Sequence, residues 1–138
     1  MTAGDAWDRL WTPHRMSYLK GESRPDHGEA GEECPFCRAP SEIDDSLVVA
    51  RGMVAYVVLN KFPYNSGHLL VCPYRHVADY TDLDEEEVAE IGRLTQESMR
   101  VLRVVSGAHG FNIGMNQGAI AGAGIAAHLH QHVVPRWG

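Results

Sequence analysis

Positions 128, 130 and 132 are all histidine, within the run His128-Leu129-His130-Gln131-His132-Val133-Val134. On a β-strand successive side chains alternate faces, so these three imidazoles would point the same way. Three imidazoles on one face are costly in an apolar core unless each has a polar partner. Two chemistries could use such a row. A three-histidine zinc site fits poorly, because the α-carbons of His128 and His132 would lie about 13 Å apart along a strand. Zinc needs its nitrogens about 2.0–2.1 Å away in a tetrahedron. The better reading is nucleophilic catalysis by the middle histidine, with its neighbours serving orientation, charge or structure. An imidazole with a reference pKa of about 6.5 is available as a neutral nucleophile near pH 7. Its other nitrogen must then donate a hydrogen bond, most simply to a backbone carbonyl. A histidine-rich surface strand that binds metal adventitiously is the bland alternative, disfavoured by the apolar flanks and Pro135.

The second chemical motif is Cys34-Pro35-Phe36-Cys37. Its spacing suits half a zinc site or a redox pair. A thioredoxin-like pair should open a helix after a strand; this one follows a polar stretch and precedes Arg38-Ala39-Pro40. There is no second Cys-x-x-Cys, and Cys72 reads as strand core. If the pair binds zinc, histidines must complete the ligand set; otherwise it is two free thiols.

These residues need a scaffold. Segments 47–50 and 53–60 read as strands around an Arg51-Gly52 turn, and 67–73 as a third strand ended by Pro73. Over 82–105, Val88, Ile91, Leu94, Met99, Val101, Leu102 and Val105 fall on one helical face. Glu85, Glu86, Glu90, Arg93, Glu97, Arg100 and Arg103 fall opposite, and Gly107 stands where a C-terminal cap belongs. Residues 110–117 and 127–135 read as further strands around a Gly/Ala loop at 118–124. Strands separated by one long helix suggest an α+β domain on an antiparallel sheet. Residues 1–33 read as an N-terminal segment with a mobile loop, and 34–138 as the domain proper.

The chain has 138 residues, enough for one domain, and a formal net charge of −6. That charge argues against a nucleic-acid polymer as partner, since phosphate neutralisation needs clustered Lys and Arg. A small anion held by a few local donors remains compatible. No stretch approaches a membrane span and none reads as a secretory signal, so a cytoplasmic location is expected.

Residues 128–134 resemble the His-φ-His-φ-His-φ-φ signature of the histidine-triad (HIT) family, φ being apolar, with a departure at Gln131. The resemblance extends over roughly 34–137. It includes Asn60 followed by Pro63, Tyr64, Asn65, Gly67 and His68, then Val71-Cys72-Pro73 and Met115-Asn116-Gln117-Gly118. Trp11-Thr12-Pro13 and the run from His132 to Trp137 are most similar to the branch of diadenosine tetraphosphate phosphorylases found in actinobacteria. The resemblance implies a HIT-like fold: a five-stranded antiparallel sheet, one long helix and a zinc-anchored N-terminal segment.

It further implies cleavage of a nucleotide phosphoanhydride through a nucleotidyl-histidine at His130. The substrate would be a nucleotide or dinucleoside polyphosphate, and the acceptor phosphate (phosphorylase) or water (hydrolase). In that scheme His132 contacts the phosphate or protonates the leaving group, and His68 supports the histidine network. Asn60 would hold ribose, and Asn116 ribose or phosphate. Family members carry Gln then Ser or Thr where this chain has Gly124 and Ile125; backbone N–H groups of Gly122–Gly124 are the expected substitute. A structural zinc on Cys34, Cys37, His76 and His128 is implied, as are a homodimer and a C-terminal segment that helps close the site. A purine nucleoside phosphoramidase and a non-catalytic nucleotide- or zinc-binding protein are the alternatives.

Overall fold

A computed structural model of the chain describes residues 34–42, 47–60, 67–123, 125 and 127–138. The expected N-terminal segment 1–33 and Gly124 lie outside the described residues. Five strands, β1 (Val48–Arg51), β2 (Ala55–Leu59), β3 (Leu69–Pro73), β4 (Gly110–Gly114) and β5 (Gln131–Arg136), pair in the order β1-β2-β3-β5-β4. Every pairing is antiparallel. With the helices α1 (Pro35–Arg38) and α2 (Glu85–Ser106), this is the α+β architecture expected from the sequence.

No residue of β2 or β3 is exposed. A sheet with one wet face would alternate, so both faces must be covered. On one face Val57, Leu59, Leu69, Val71 and Val133 pack with Ile91, Leu94 and Leu102 of α2. On the other, Tyr56, Val58, Leu70 and Cys72 pack with Cys34 and Phe36. Burying each such aliphatic or aromatic side chain contributes about 1.5–3 kcal/mol. The short α1 segment therefore supplies a layer of the core.

The ends of α2 follow from its sequence. Asp84 accepts from the Glu87 N–H while the Glu87 carboxylate accepts from the Asp84 N–H, closing a capping box. Its C-terminal cap is Gly107, whose φ of +64° favours glycine. The helix begins after residue 82 because 80–82 form a 3-10 turn, in which Asp79 accepts from the Thr81 N–H.

Three local expectations are corrected. Val88 belongs to the apolar arc by angle but is 40% exposed. Glu90, assigned to the solvent side, is buried and accepts from the N–H groups of Val54 (2.7 Å) and Ala55 (2.9 Å). It thereby holds the β1–β2 turn to the helix. A Cβ at Gly52 would meet the Glu90 carboxylate and push it away from those two donors.

The third correction concerns the histidine strand. Pairing of β5 with β3 begins at Gln131 opposite Val71, so His128 and His130 precede the strand instead of lying within it. Pro73, at the end of β3, has no N–H to extend the ladder. Its carbonyl is taken by the His128 side chain, and the Leu129 N–H turns to Val77 O. Among the described residues, no helix is long and apolar enough to cross a membrane.

Candidate active site and metal-binding group

The entry into β5 carries two sites that share His128. Its Nε2 lies 2.9 Å from Pro73 O. A carbonyl can only accept, so Nε2 carries the ring proton and Nδ1 is left as a lone pair. That lone pair faces Cys34 Sγ at 3.4 Å and Cys37 Sγ at 3.5 Å. His76, reached just after β3, brings its Nδ1 to 3.2 Å from Cys37 Sγ. The four ligand atoms all lie within 4.8 Å of one another. Tetrahedral zinc with its usual bond lengths would hold sulfur and nitrogen about 3.5 Å apart, so the four groups fit a Cys₂His₂ ion. The Pro73 carbonyl is the outer partner that fixes a ligating histidine.

Cys-Pro-Phe-Cys does open a helix, since Pro35 occupies the first turn of α1. The redox and metal readings are therefore separated by what surrounds the sulfurs, two imidazole nitrogens, and not by the helix. Burial raises the Cys34 thiol above its ordinary value. A cation among the four groups would reverse that and take up the thiolates.

His130 is oriented by the same residue. Its Nδ1 donates to His128 O at 2.8 Å, which leaves Nε2 as the lone-pair nitrogen. Phe36 packs on both rings, at 5.6 Å from His128 and 4.8 Å from His130 between centroids. The sequence signal for Phe36 was only its place between two cysteines, which says nothing of the histidines.

A second polarity runs in from the other side. Asn60 Nδ2 lies 3.2 Å from His68 Nδ1, and His68 Nε2 lies 2.9 Å from His132 Nδ1. The Asn60 amide nitrogen can only donate, so His68 accepts at Nδ1 and donates from Nε2. His132 then accepts at Nδ1 and carries its own proton on Nε2. The His130 and His132 rings meet edge to face at 5.0 Å. One thus offers a lone pair and the next an N–H.

Burial lowers all three groups. His68 falls to about 3, by desolvation and then by the neighbouring His132, His130 and Arg136. His132 falls to about 4 by desolvation and His130. Desolvation also lowers His130, against the opposing carbonyl hydrogen bond. All three rings are accordingly neutral near pH 7, the state a nitrogen nucleophile requires.

The remaining candidates are less closely gathered. Asn116 is exposed, and its amide nitrogen comes within 3.9 Å of the space beside Gly122. The Gly122 N–H donates to Ala119 O and the Ala123 N–H to Gly118 O. Those two donors are thus used inside the loop and do not form the expected nest as they stand. Asn60 is engaged with His68 through one of its amide N–H groups. Gln131, the departure from the apolar pattern, faces α2 and donates to Thr95 Oγ1 at 2.9 Å. Arg75 pairs with Glu87, and the Trp137 indole donates to Ser106 O at the end of α2, so both have structural partners.

The HIT domain family model matches residues 41–138. Over 137 residues the chain is 50% identical to the AP-4-A phosphorylase of Mycobacterium tuberculosis, covering 97% of this chain and 70% of that protein. It is 30% identical over 103 residues to the bifunctional bis(5'-adenosyl)-triphosphatase/adenylylsulfatase FHIT of Arabidopsis thaliana, covering 75% of this chain and 57% of that protein. The crystal structure of a Zn-bound histidine triad family protein from Mycobacterium smegmatis is similar with a TM-score of 0.68 at 33% identity, covering 75% of each chain. On the family match over residues 41–138 and the identity to these relatives, the chain belongs to the HIT, or histidine-triad, family.

Proposed function

We propose that the protein is an enzyme that splits dinucleoside polyphosphates, diadenosine tetraphosphate in particular, by passing a nucleotidyl group through His130. The observation that carries this is the His130 Nδ1–H bond to His128 O, which leaves Nε2 with the lone pair that a nucleophile needs. In the first step Nε2 attacks the α-phosphorus, and the anhydride bond to the bridging oxygen breaks. His132, with its Nε2–H, is placed to hydrogen-bond or protonate the departing oxygen. In the second step inorganic phosphate attacks the same phosphorus, displaces His130 and yields a nucleoside diphosphate. Water in place of phosphate would yield the monophosphate. The half-identity to an AP-4-A phosphorylase supports phosphate as the acceptor.

The test is to incubate the protein with diadenosine tetraphosphate, with and without phosphate, and separate the nucleotides. ADP and ATP appearing only with phosphate is the expected result, and AMP and ATP without it would select a hydrolase. A folded protein that turns over nothing and forms no adduct would sink the enzymatic reading.

Zinc is the proposed occupant of the Cys34, Cys37, His76 and His128 group. Its contribution would be structural, because all four positions of a tetrahedron are taken by protein.

A homodimer is also proposed. β4 is an edge strand, and Ile113 on it and Val104 on α2 are 51% and 86% exposed. Unpaired edges and apolar surface of this kind favour burial against another chain. Sedimentation equilibrium is expected to give twice the chain mass, and Val104→Glu combined with Ile113→Glu to give the monomer. A monomeric parent protein would reject this interface.

A further inference from the structure

The pairing of β2 with β3 ends with Leu59 opposite Leu69, and the Asn60 N–H donates to His68 O just beyond it. On the far side of β3, Leu70 stands opposite His132 of β5. Paired residues share a face of a sheet, and every second residue returns to that face. Asn60, His68 and His132 are therefore set on one face, the one that Phe36 also covers. Asn60 Nδ2 reaches His68 Nδ1 at 3.2 Å, and His68 Nε2 reaches His132 Nδ1 at 2.9 Å.

The bond between the two rings can form in either direction. If His68 Nε2–H donates, His132 keeps its proton on Nε2; if His132 Nδ1–H donates, its Nε2 is a bare lone pair. The separation of 2.9 Å suits both. A second proton on His68 does not decide the matter, since burial and then His132 bring that ring down to about 3. Near neutral pH it carries one proton. The choice is made at its outer nitrogen. Asn60 Nδ2 can only donate, so His68 Nδ1 must accept, and the first direction is the one that fits. Among the described residues His132 Nε2 has no hydrogen-bond partner, and its ring lies edge to face with that of His130.

We propose that Asn60 is a positioning residue: through His68 it fixes the proton of His132 on Nε2. An N–H, and not a second lone pair, then stands beside the attacking nitrogen of His130. The use of that N–H at the departing oxygen rests on the function proposed above; the place of the proton does not. Reversing the chain would leave the departing oxygen facing an acceptor where it needs a donor.

The test reads the ring nitrogens directly. In the full chain with isotopically labelled histidine, nitrogen NMR separates protonated from lone-pair ring nitrogens, and His68→Gln and His132→Gln assign the signals. In the parent protein both rings should carry the proton on Nε2 and none on Nδ1. Asn60→Asp keeps the size of the side chain but presents acceptors alone. At about pH 9, where an imidazole beside a carboxylate is neutral, both rings should carry the proton on Nδ1 instead. At that pH the rate of adduct formation from saturating diadenosine tetraphosphate should fall at least about tenfold against the parent. A merely structural role for Asn60 would leave the His132 pattern as it was. The proposal is overturned by a parent His132 protonated on Nδ1, or by an unchanged His132 pattern in Asn60→Asp. A reversed pattern with an unchanged adduct rate overturns the use of the proton. A parent protein with the expected pattern that forms no adduct overturns the proposed function and leaves the place of the proton standing.

Discussion

Replacing His130 by alanine is expected to lower turnover of diadenosine tetraphosphate by at least about a thousandfold, and to abolish the covalent nucleotidyl adduct. The magnitude follows from what is removed. In the proposed mechanism His130 supplies the attacking nitrogen, and its ring already has Nε2 unprotonated because His128 O accepts from Nδ1. Losing a nucleophile leaves only binding and electrostatic stabilisation to act on a bound water. The adduct is measured by mass spectrometry after an alkaline quench, since phosphorus–nitrogen bonds of this type are labile in acid. The substitution should leave the metal content unchanged, because the bond it breaks is to the main chain of His128 and not to its ring. A variant that keeps a tenth of the activity would show that the nucleophile lies elsewhere.

The second large effect is expected from the metal. Chelation, or Cys34→Ser, should remove one zinc per chain and destabilise the fold by on the order of 4 kcal/mol, read as a fall in Tm. The four ligands come from three places: α1, the stretch after β3, and the approach to β5. An ion there ties the Cys34–Phe36 layer to the sheet, and its binding energy is folding energy. Activity should fall as well, though less steeply than with His130→Ala, since the His128 carbonyl that orients His130 would lose its anchor. Metal analysis that finds well under one equivalent in carefully prepared, fully stable protein would refute the site.

The sequence made some of these features legible and hid others, for identifiable reasons. Asp84, Glu87 and Gly107 are local signals, and each sits where the helix begins or ends. Alternation and apolar runs located β1, β2 and β3, because they report burial directly. Period-two reasoning failed at His128 and His130, since nothing in residues 127–135 announces that Pro73 stops the ladder from the neighbouring strand. Glu90 was misplaced for a similar reason. Its partners are backbone N–H groups 36 and 35 positions away, and backbone donors carry no residue code. Family resemblance supplied the expected ligand set, whereas the row of histidines by itself pointed to its middle member as the nucleophile. The order of protons along Asn60, His68 and His132 needed distances.

The tie between Cys34 and His128 spans 94 positions, nearly the whole described domain. A ribosome adding about 5–20 residues per second would finish the first thiolate ligand about 5–20 s before the last imidazole. Throughout that interval β2, β3 and α2 can pair through contacts of much shorter separation, while the two sulfurs wait without their partner. Closure of the proposed metal group therefore comes late in the synthesis of the described domain. The nitrogen proposed to attack, on His130 two residues further on, acquires its orientation only once the carbonyl of His128 is in place.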